Sequence, residues 1–160
     1  MSSSIQQYLQ QTRPFRTVEE EVFLGIHIVA DLLMEPWAAY LKETADLTPA
    51  QYNVLRILRG AGEAGLWAGE IGDRLITRSP DVTRLIDRLE KRKLVRRRQD
   101  PVDRRAVRVH ITETGRAELT ALDPKARSIL QGVFERVPAR RIAALRSELD
   151  ALLEVLAEGR

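Results

Sequence analysis

The chain contains no cysteine, which excludes disulfide bonds and thiol nucleophiles. Histidine is scarce, since His27 and His110 are the only two in 160 residues. His27 and Asp31 are four residues apart, but catalytic zinc normally takes three protein ligands and structural zinc four. The sequence contains no glycine-rich phosphate loop and no Ser-His-Asp set. We therefore predict that the protein is not an enzyme, binds no metal and has no cofactor.

Long hydrophobic runs are also missing. On inspection no stretch approaches the length of a transmembrane helix, and the first sixteen residues lack the apolar core of a signal peptide. Apolar residues still make up 44% of the chain, which is enough for a hydrophobic core. These features predict one soluble domain, or one domain with a helical extension, located in the cytoplasm and without a membrane partner.

Positive charge is concentrated in one part of the chain. Between Glu70 and His110 there are thirteen arginines and lysines and seven acidic residues, a net charge of +6, whereas the whole chain carries +3. Such a cationic segment is typical of phosphate binding. A solvated basic face on an ordinary domain is the alternative.

The cationic segment has the pattern of a helix followed by a two-stranded ribbon. Ser79 is predicted to cap the helix, with Pro80 in its first turn. Residues 94–99 and 106–111 follow as strands, because apolar and charged residues alternate in the second of them. The helix has four apolar residues at the spacing of one face: Val82, Leu85, Ile86 and Leu89.

Two shorter helices are predicted before the cationic helix. Thr48 and Gln51 form a capping box at the start of the first, and the second runs from Leu66 to Leu75. A turn at residues 76–78 joins it to the cationic helix, which completes a helix-turn-helix. The pattern as a whole predicts a mainly α fold with a small β-wing, a winged helix-turn-helix.

The same residues resemble the MarR family of bacterial transcriptional regulators. The run DVTRLIDRLEKRKLVRR leads to Asp103-Arg104-Arg105, which matches the family's Asp-x-Arg near the wing tip. Ile111, Thr112 and Gly115 match the end of its next strand. The resemblance covers residues 47–115 in motifs and nearly the whole chain in helix order. Lys93 is a departure, since the family usually has glycine there to suit a left-handed helix end.

The resemblance implies a different role for each segment of the chain. Residues 47–111 are expected to form the DNA-binding unit, and residues 18–43 and 112–158 the dimerisation helices. Residues 1–17 are expected to be a flexible or loosely docked arm. Prolines are expected to kink or interrupt two of the dimerisation helices, near Pro36 and at Pro124.

We predict a homodimer that binds double-stranded DNA. Arg84 is expected to contact guanine, with a phosphate contact equally open, and Asp81 either accepts from cytosine or reinforces the helix N-terminus. Arg105 is expected to enter the minor groove, steadied by Asp103, unless the two form only a structural pair. Thirteen residues make up the predicted interface: Arg78, Ser79, Pro80, Asp81, Thr83, Arg84, Arg88, Lys91, Arg96, Arg98, Asp103, Arg104 and Arg105.

The resemblance also implies control by a small aromatic or phenolic anion, bound between the dimerisation helices and the winged-helix unit. Ordinary core packing is the alternative for each candidate residue. The implied function is a ligand-responsive repressor that reads a palindromic operator; the alternative is a winged-helix protein-interaction module without DNA binding. The candidate pocket residues are His27, Trp37, Tyr40, Tyr52 and Trp67.

Overall fold

The computed structural model describes residues 3–77, 81–100, 103 and 105–158. The mainly α fold with a small β-wing is confirmed. The helices and strands in the described residues are α1 (Ser4–Tyr8), α2 (Val18–Ala45), α3 (Pro49–Ala61), α4 (Ala68–Arg74), α5 (Val82–Lys91), β1 (Val95–Gln99), β2 (Val107–Ile111), α6 (Glu113–Phe134) and α7 (Ala139–Glu158), with a 3-10 turn at Gly62–Ala64.

The chain divides into two compact units, one up to residue 124 and one from residue 125 onward. The first unit contains the buried apolar core, in which side chains such as Leu55, Leu58, Ile86 and Leu119 have no exposed surface. Burial of such side chains is the main stabilising contribution to this unit. In the second unit, α7 has no buried residue in its described length and presents its leucines to solvent.

The capping box at the start of α3 is confirmed. The Thr48 hydroxyl accepts from the Gln51 backbone N–H at 3.2 Å, and the Gln51 side chain accepts from the Thr48 N–H at 2.9 Å. Leu47 and Tyr52, on either side of the cap, are both buried, as a hydrophobic staple requires. These contacts specify where α3 enters the core.

The wing is an antiparallel ribbon in which Val95 faces Ile111 and Arg97 faces Val109. Leu66 extends it as a single β-bridge, because its N–H and C=O both bond to Val109, at 3.0 and 2.8 Å. The prediction of a helix from Leu66 is therefore wrong at its start, and α4 begins at Ala68. The backbone N–H and C=O of Leu66 bond to the ribbon and not within a helix.

Helix α5 starts later than the sequence predicts. Ser79 and Pro80 lie outside the described residues, and the N-cap is Asp81, whose carboxylate accepts from the Arg84 N–H at 3.0 Å. The predicted start at Ser79 is wrong for this reason. Aspartate is as good a cap as serine, and its charge also favours the positive end of the helix dipole.

The end of α5 is a Schellman turn that places Lys93 in the left-handed region, with φ at 60°. The Leu94 N–H donates to the Leu89 carbonyl at 3.0 Å and the Lys93 N–H to the Glu90 carbonyl at 2.8 Å. Leu89 and Leu94 are both buried, which adds the usual apolar contact of this motif. Lys93 thus adopts the left-handed conformation that glycine usually takes at this position, and this strains its backbone.

The turn from β2 into α6 explains the spacing of Thr112 and Gly115. The Thr112 hydroxyl donates to the Lys93 carbonyl at 2.7 Å and accepts from the Gly115 N–H at 3.0 Å. A Cβ at Gly115 would overlap the Leu94 carbonyl and lie 2.9 Å from the Ile111 side chain. Glycine is required here because the helix backbone meets the strand directly.

Both prolines lie inside continuous helices, so the break expected as one alternative at each is wrong, while the kink expected as the other alternative stays a prediction. Pro36 is within α2 and Pro124 within α6. A proline in a helix leaves the carbonyl four residues earlier without its N–H partner. Those positions, Leu32 and Thr120, are exposed, so water can satisfy the carbonyls and the helices continue.

Part of the N-terminal segment is helical. Ser3 caps α1 by accepting from the Gln6 N–H at 3.1 Å, and α1 packs on α2 where Ile5 meets the buried Gly25. A Cβ at Gly25 would lie 2.6 Å from the end of the Ile5 side chain. The glycine therefore leaves room for the short helix to dock.

Helix α2 contradicts the expectation that no stretch has the length of a transmembrane helix. By length and composition Val18–Ala45 is long and apolar enough to cross a membrane, and almost none of it is buried. Its apolar sequence is interrupted by Asp31, Glu35 and Pro36. The sequence therefore contains no continuous apolar run of the length that usually indicates a transmembrane helix. Its exposed apolar side chains include Val18, Val22, Phe23, Ile26, Val29 and Leu32.

Candidate nucleic-acid interface

Helix α5 separates its apolar and cationic residues. Ile86 and Leu89 are buried in the core, with Val82 and Leu85 packed against it. The opposite face exposes Thr83, Arg84, Arg88 and Lys91, all of which are predicted DNA contacts. This arrangement gives a helix anchored on one side and cationic on the other, as a helix that enters a major groove requires.

Asp81 has the second of the two roles left open by the sequence, reinforcement of the helix start. Besides capping α5, its carboxylate lies 3.1 Å from the Nε of Arg84. The Arg84 side chain is 77% exposed, and its Nε faces the Asp81 carboxylate. Asp81 thereby orients the guanidinium that is the strongest candidate for guanine recognition.

Arg97 ties the wing to α5. Its guanidinium lies 2.6 Å from Asp87 and also pairs with Glu90, and its backbone N–H donates to Glu90 at 3.0 Å. Burial alone would lower the pKa of Arg97, but the hydrogen bonds to the two carboxylates outweigh it and raise the pKa. Arg97 is not among the thirteen DNA contacts predicted from the sequence. The available signal was its two-residue spacing from the buried Val95.

The wing tip is ordered by Asp103. Its carboxylate accepts from the Arg105 backbone N–H at 2.9 Å, and its carbonyl accepts from the Ala106 N–H at 2.9 Å. Its own N–H donates to the buried carboxylate of Asp100 at 3.1 Å. Among the described residues, no carboxylate pairs with the exposed Arg105 guanidinium. Asp103 thus steadies the backbone of Arg105 and leaves its side chain available.

The base of the wing is fixed by Arg108. Its guanidinium pairs with Asp100, whose side chain is only 5% exposed, and lies 4.5 Å from the centre of the Trp67 ring. A cation over an aromatic face in this way is attracted by the ring quadrupole. Trp67, a predicted pocket residue, therefore lies against the wing.

Arg96 and Arg98 lie on the ribbon face opposite Arg97. Arg96 faces His110 and Arg98 faces Arg108 across the two strands. Both arginines are exposed. Alternation along β1 predicts this separation, since neighbouring side chains in a strand point to opposite faces. Four other predicted contacts, Arg78, Ser79, Pro80 and Arg104, lie outside the described residues.

Comparison with known proteins places this geometry in a family. A sequence model of the MarR family matches residues 47–107. The chain is 32% identical over 106 residues to the uncharacterized HTH-type transcriptional regulator YsmB of Bacillus subtilis, which covers 66% of this chain and 71% of that protein. A crystal structure of a MarR transcription factor from Planctomyces limnophilus is 31% identical, with a TM-score of 0.61, and covers 92% of this chain and 100% of that one.

The chain belongs to the MarR family. Its fold is also that of the MepR–DNA complex of S. aureus, with 20% identity, a TM-score of 0.75 and coverage of 89% of this chain and 99% of that one. The resemblance seen in the sequence is confirmed. The relatives named here are transcriptional regulators rather than enzymes, and the described residues contain no cluster of three possible metal-ligating side chains.

Three predicted pocket residues of this MarR protein do come together. The Trp37 ring stacks on Tyr40 at 5.6 Å and meets Tyr52 edge-on at 4.8 Å. His27 lies elsewhere on α2, where it contacts Phe23 with 4.4 Å between the rings. The aromatic cluster is thus Trp37, Tyr40 and Tyr52, without His27 and Trp67.

A polar network borders the aromatic cluster, and sequence reasoning missed it. Asp123 accepts from Arg59 at 2.6 and 3.3 Å and from the Tyr52 hydroxyl at 3.4 Å. Burial, and then the Asp123 charge, raise the pKa of Tyr52. Arg59 and Asp123 are 64 residues apart in sequence, so no local pattern indicates the contact.

Proposed function

We propose that this MarR protein is a dimeric repressor that reads a palindromic operator. Helix α5 lies in the major groove of each half-site and the wing reaches the minor groove. The observation that carries the proposal is the contact of Arg97 with α5. It makes the exposed cationic face of the helix and the arginine-tipped ribbon parts of one rigid unit.

The proposed contacts follow from the placement of each side chain. Arg84, held by Asp81, is aimed at guanine, whose O6 and N7 match a guanidinium. Arg88 and Lys91, further along the exposed face of α5, neutralise phosphates. Arg105 enters the minor groove, where a narrow A·T tract attracts arginine.

The proposal requires two copies, and the exposed apolar surfaces support this. Helix α2 exposes apolar side chains along its length, and α7 exposes Leu145, Leu149, Leu152 and Leu153. Apolar surface of this extent marks an interaction site in a protein free in the cytoplasm, where a DNA-binding regulator acts. A second copy related by a dyad would place two recognition helices about one helical turn apart on DNA.

The aromatic cluster is the proposed effector site. Trp37, Tyr40 and Tyr52 offer apolar ring faces, and Arg56, whose guanidinium carbon lies 6.0 Å from the centre of the Tyr52 ring, offers a cation for a phenolic or aromatic anion. Such an effector can release the operator only if it binds the dimer more tightly when the distance between its two α5 helices does not match the operator than when it does.

The test of DNA recognition is selection of bound sequences from random duplex DNA by the full-length protein. We expect a palindrome whose half-sites are centred about 10 base pairs apart. The competing proposal, a protein-interaction module, predicts no enrichment and no duplex binding even at low salt. Affinity that falls steeply with salt concentration would support the regulator, because phosphate neutralisation releases counterions.

The wing contact has its own test. Arg105→Ala should weaken operator binding by about 1–3 kcal/mol, measured by fluorescence anisotropy at physiological salt. Arg127→Ala, which removes an exposed arginine from α6, is the matched control and should leave the affinity unchanged. Equal affinities for the two variants would exclude Arg105 from the minor groove.

The effector proposal is tested with salicylate as the probe. In a Trp67→Phe variant, Trp37 is the sole tryptophan and reports binding at the cluster by its fluorescence. We expect quenching that saturates together with loss of operator affinity. No quenching, or quenching without any change in operator affinity, would contradict control at this site.

A further inference from the structure

A cavity of about 520 Å³ lies at the root of the wing, on the ribbon face opposite Arg97. This volume is within the usual range for small-molecule sites. Its walls come from the 3-10 turn, both strands and the first turns of α6, all within the first unit. The lining includes six charged or titratable side chains: Glu63, Arg96, Arg98, His110, Glu113 and Arg116.

The three arginines of the cavity are not committed to ion pairs. In the part of the chain that the structure describes, no carboxylate lies within 4.0 Å of Arg96, Arg98 or Arg116. Arg97 and Arg108, on the same two strands, each pair with an aspartate. Guanidinium groups that converge from two elements without a protein partner are suited to bidentate binding of phosphate or carboxylate.

His110 is held in place beside these arginines. It faces Arg96 across the ribbon, and its ring lies against Gly65, where an added Cβ would be 2.5 Å from the ring carbon Cε1. Gly65 also has φ at 62°, a conformation that other residues rarely adopt. The ring is therefore positioned by packing rather than free to swing away from the cavity.

The two glutamates determine which anion fits. A duplex presents a continuous row of phosphates, which Glu63 and Glu113 would repel, and the cavity lies at the root of the ribbon rather than at its tip. A small phosphate ester can place its phosphoryl group on the arginines and its hydroxyl groups toward the glutamates, which accept hydrogen bonds.

We propose that this cavity binds a small phosphate ester with free hydroxyl groups. Its phosphoryl oxygens accept from Arg96, Arg98, Arg116 and His110, and its hydroxyl groups donate to Glu63 and Glu113. The proposal concerns a second ligand site, separate from the aromatic cluster, and it does not depend on the proposed operator binding.

Binding of the anion should be coupled to protonation of His110. The groups that face this ring are Glu63 of the 3-10 turn, Arg96 and Arg98 of β1, Arg108 of β2, and Glu113 and Arg116 of α6. Burial and the charges of Arg96 and Arg98 lower the pKa of His110 in the free protein. A bound phosphoryl group offsets the arginine charges, so it should raise the pKa of His110.

The experiment exploits the presence of just two histidines in the chain. The imidazole resonances of the full-length protein are followed by NMR during titration with ribose 5-phosphate and with inorganic phosphate. We expect saturable shifts of His110, an increase in its pKa and tighter binding of the ester than of inorganic phosphate. The His27 resonances, which report on α2, should not move.

Variants separate this site from general attraction of anions to a basic protein. Arg96→Gln and Arg98→Gln should each weaken ribose 5-phosphate binding about tenfold, because each removes charged hydrogen bonds. Arg127→Gln removes the same charge from α6 and should bind as the parent does. Unchanged His27 resonances and circular dichroism in each variant establish that it is folded.

Five results would overturn the proposal, four with the small probes and one with duplex DNA. These are no shift of His110 at millimolar ester, equal shifts of His27 and His110, the same affinity in the Arg96 and Arg127 variants, or inorganic phosphate binding as tightly as the ester. A His110 response to duplex DNA but to neither small probe would also overturn it and assign the arginines to the DNA backbone.

Discussion

Arg97 and Arg98 are neighbours in β1, yet their side chains lie in opposite environments. On the inner face of the ribbon, Arg97 is held by Asp87 and Glu90 of α5. On the outer face, Arg98 lines an open cavity and, among the described residues, pairs with no carboxylate. The residue type is the same, so the difference comes from the carboxylates that neighbouring elements bring to each face. An arginine-rich strand therefore does not translate directly into a row of DNA contacts.

The largest expected effect tests how tightly the inner face is packed. Gly115→Ala should destabilise the protein by about 3 kcal/mol, because its Cβ would overlap the Leu94 carbonyl at the foot of the ribbon. Urea unfolding measures the change. Gly60→Ala in α3 is the control, since nothing lies within 4 Å of its added Cβ, and it should stabilise by about 0.5–1 kcal/mol. Equal effects would mean that the foot of the ribbon relaxes freely.

A second test compares arginines that face each other across the ribbon. Arg108→Ala should destabilise by about 2 kcal/mol, because the buried Asp100 loses its ion pair with Arg108 and the Trp67 ring loses its cation. Arg98→Ala should change the free energy of unfolding by less than about 0.5 kcal/mol. Thermal unfolding of both variants at pH 7 distinguishes them. If Arg98→Ala were the more damaging, the outer face would have a structural role.

The tie between wing and helix gives a smaller effect. Arg97→Gln should destabilise by about 1 kcal/mol, a value reduced by the partial exposure of all three side chains in the network. Operator affinity should fall as well, because the ribbon is no longer held against α5. Arg96→Gln, one residue earlier and on the other face, is the control for stability. An Arg97 variant with unaltered stability and operator affinity would contradict the rigid unit.

The smallest effect is a gain in stability at the turn that leads into β1. Lys93→Gly should stabilise by about 0.5–1 kcal/mol, because glycine adopts the left-handed conformation of this residue without strain. Lys91→Gly, within right-handed α5, should destabilise by about 1 kcal/mol. Chemical denaturation measures both. A loss of stability in the Lys93 variant would show that lysine makes contacts worth more than the strain.

The local patterns in this sequence predict most of the fold. The spacing of Val82, Ile86 and Leu89 and the capping box at Thr48 correctly predict α5 and the start of α3. Helix boundaries were less predictable where two signals compete. Ser79 and Asp81 are both good caps, and Pro124 would end a helix if its surroundings were not exposed.

The candidate site was harder to predict because its contacts are not local. The position of Trp67 depends on the bridge from Leu66 to Val109, and the network around Asp123 joins residues 64 or more positions apart. The inward direction of Arg97 could be predicted, because residues two positions apart in a strand lie on the same face and Val95 is buried. Its partners Asp87 and Glu90 become apparent only when α5 and β1 are packed together.

The ion pairs between Arg97 and α5 oppose one kind of conformational change in this molecule, a movement of the wing against the helix. With the ribbon fastened to the helix, bending one against the other would require breaking two ion pairs at once. In the dimer proposed above, an effector would therefore act less readily by deforming a single winged-helix unit. It would act more readily by changing the distance between the two units, which would leave the contacts within each unit unaltered while the match to the proposed operator is lost.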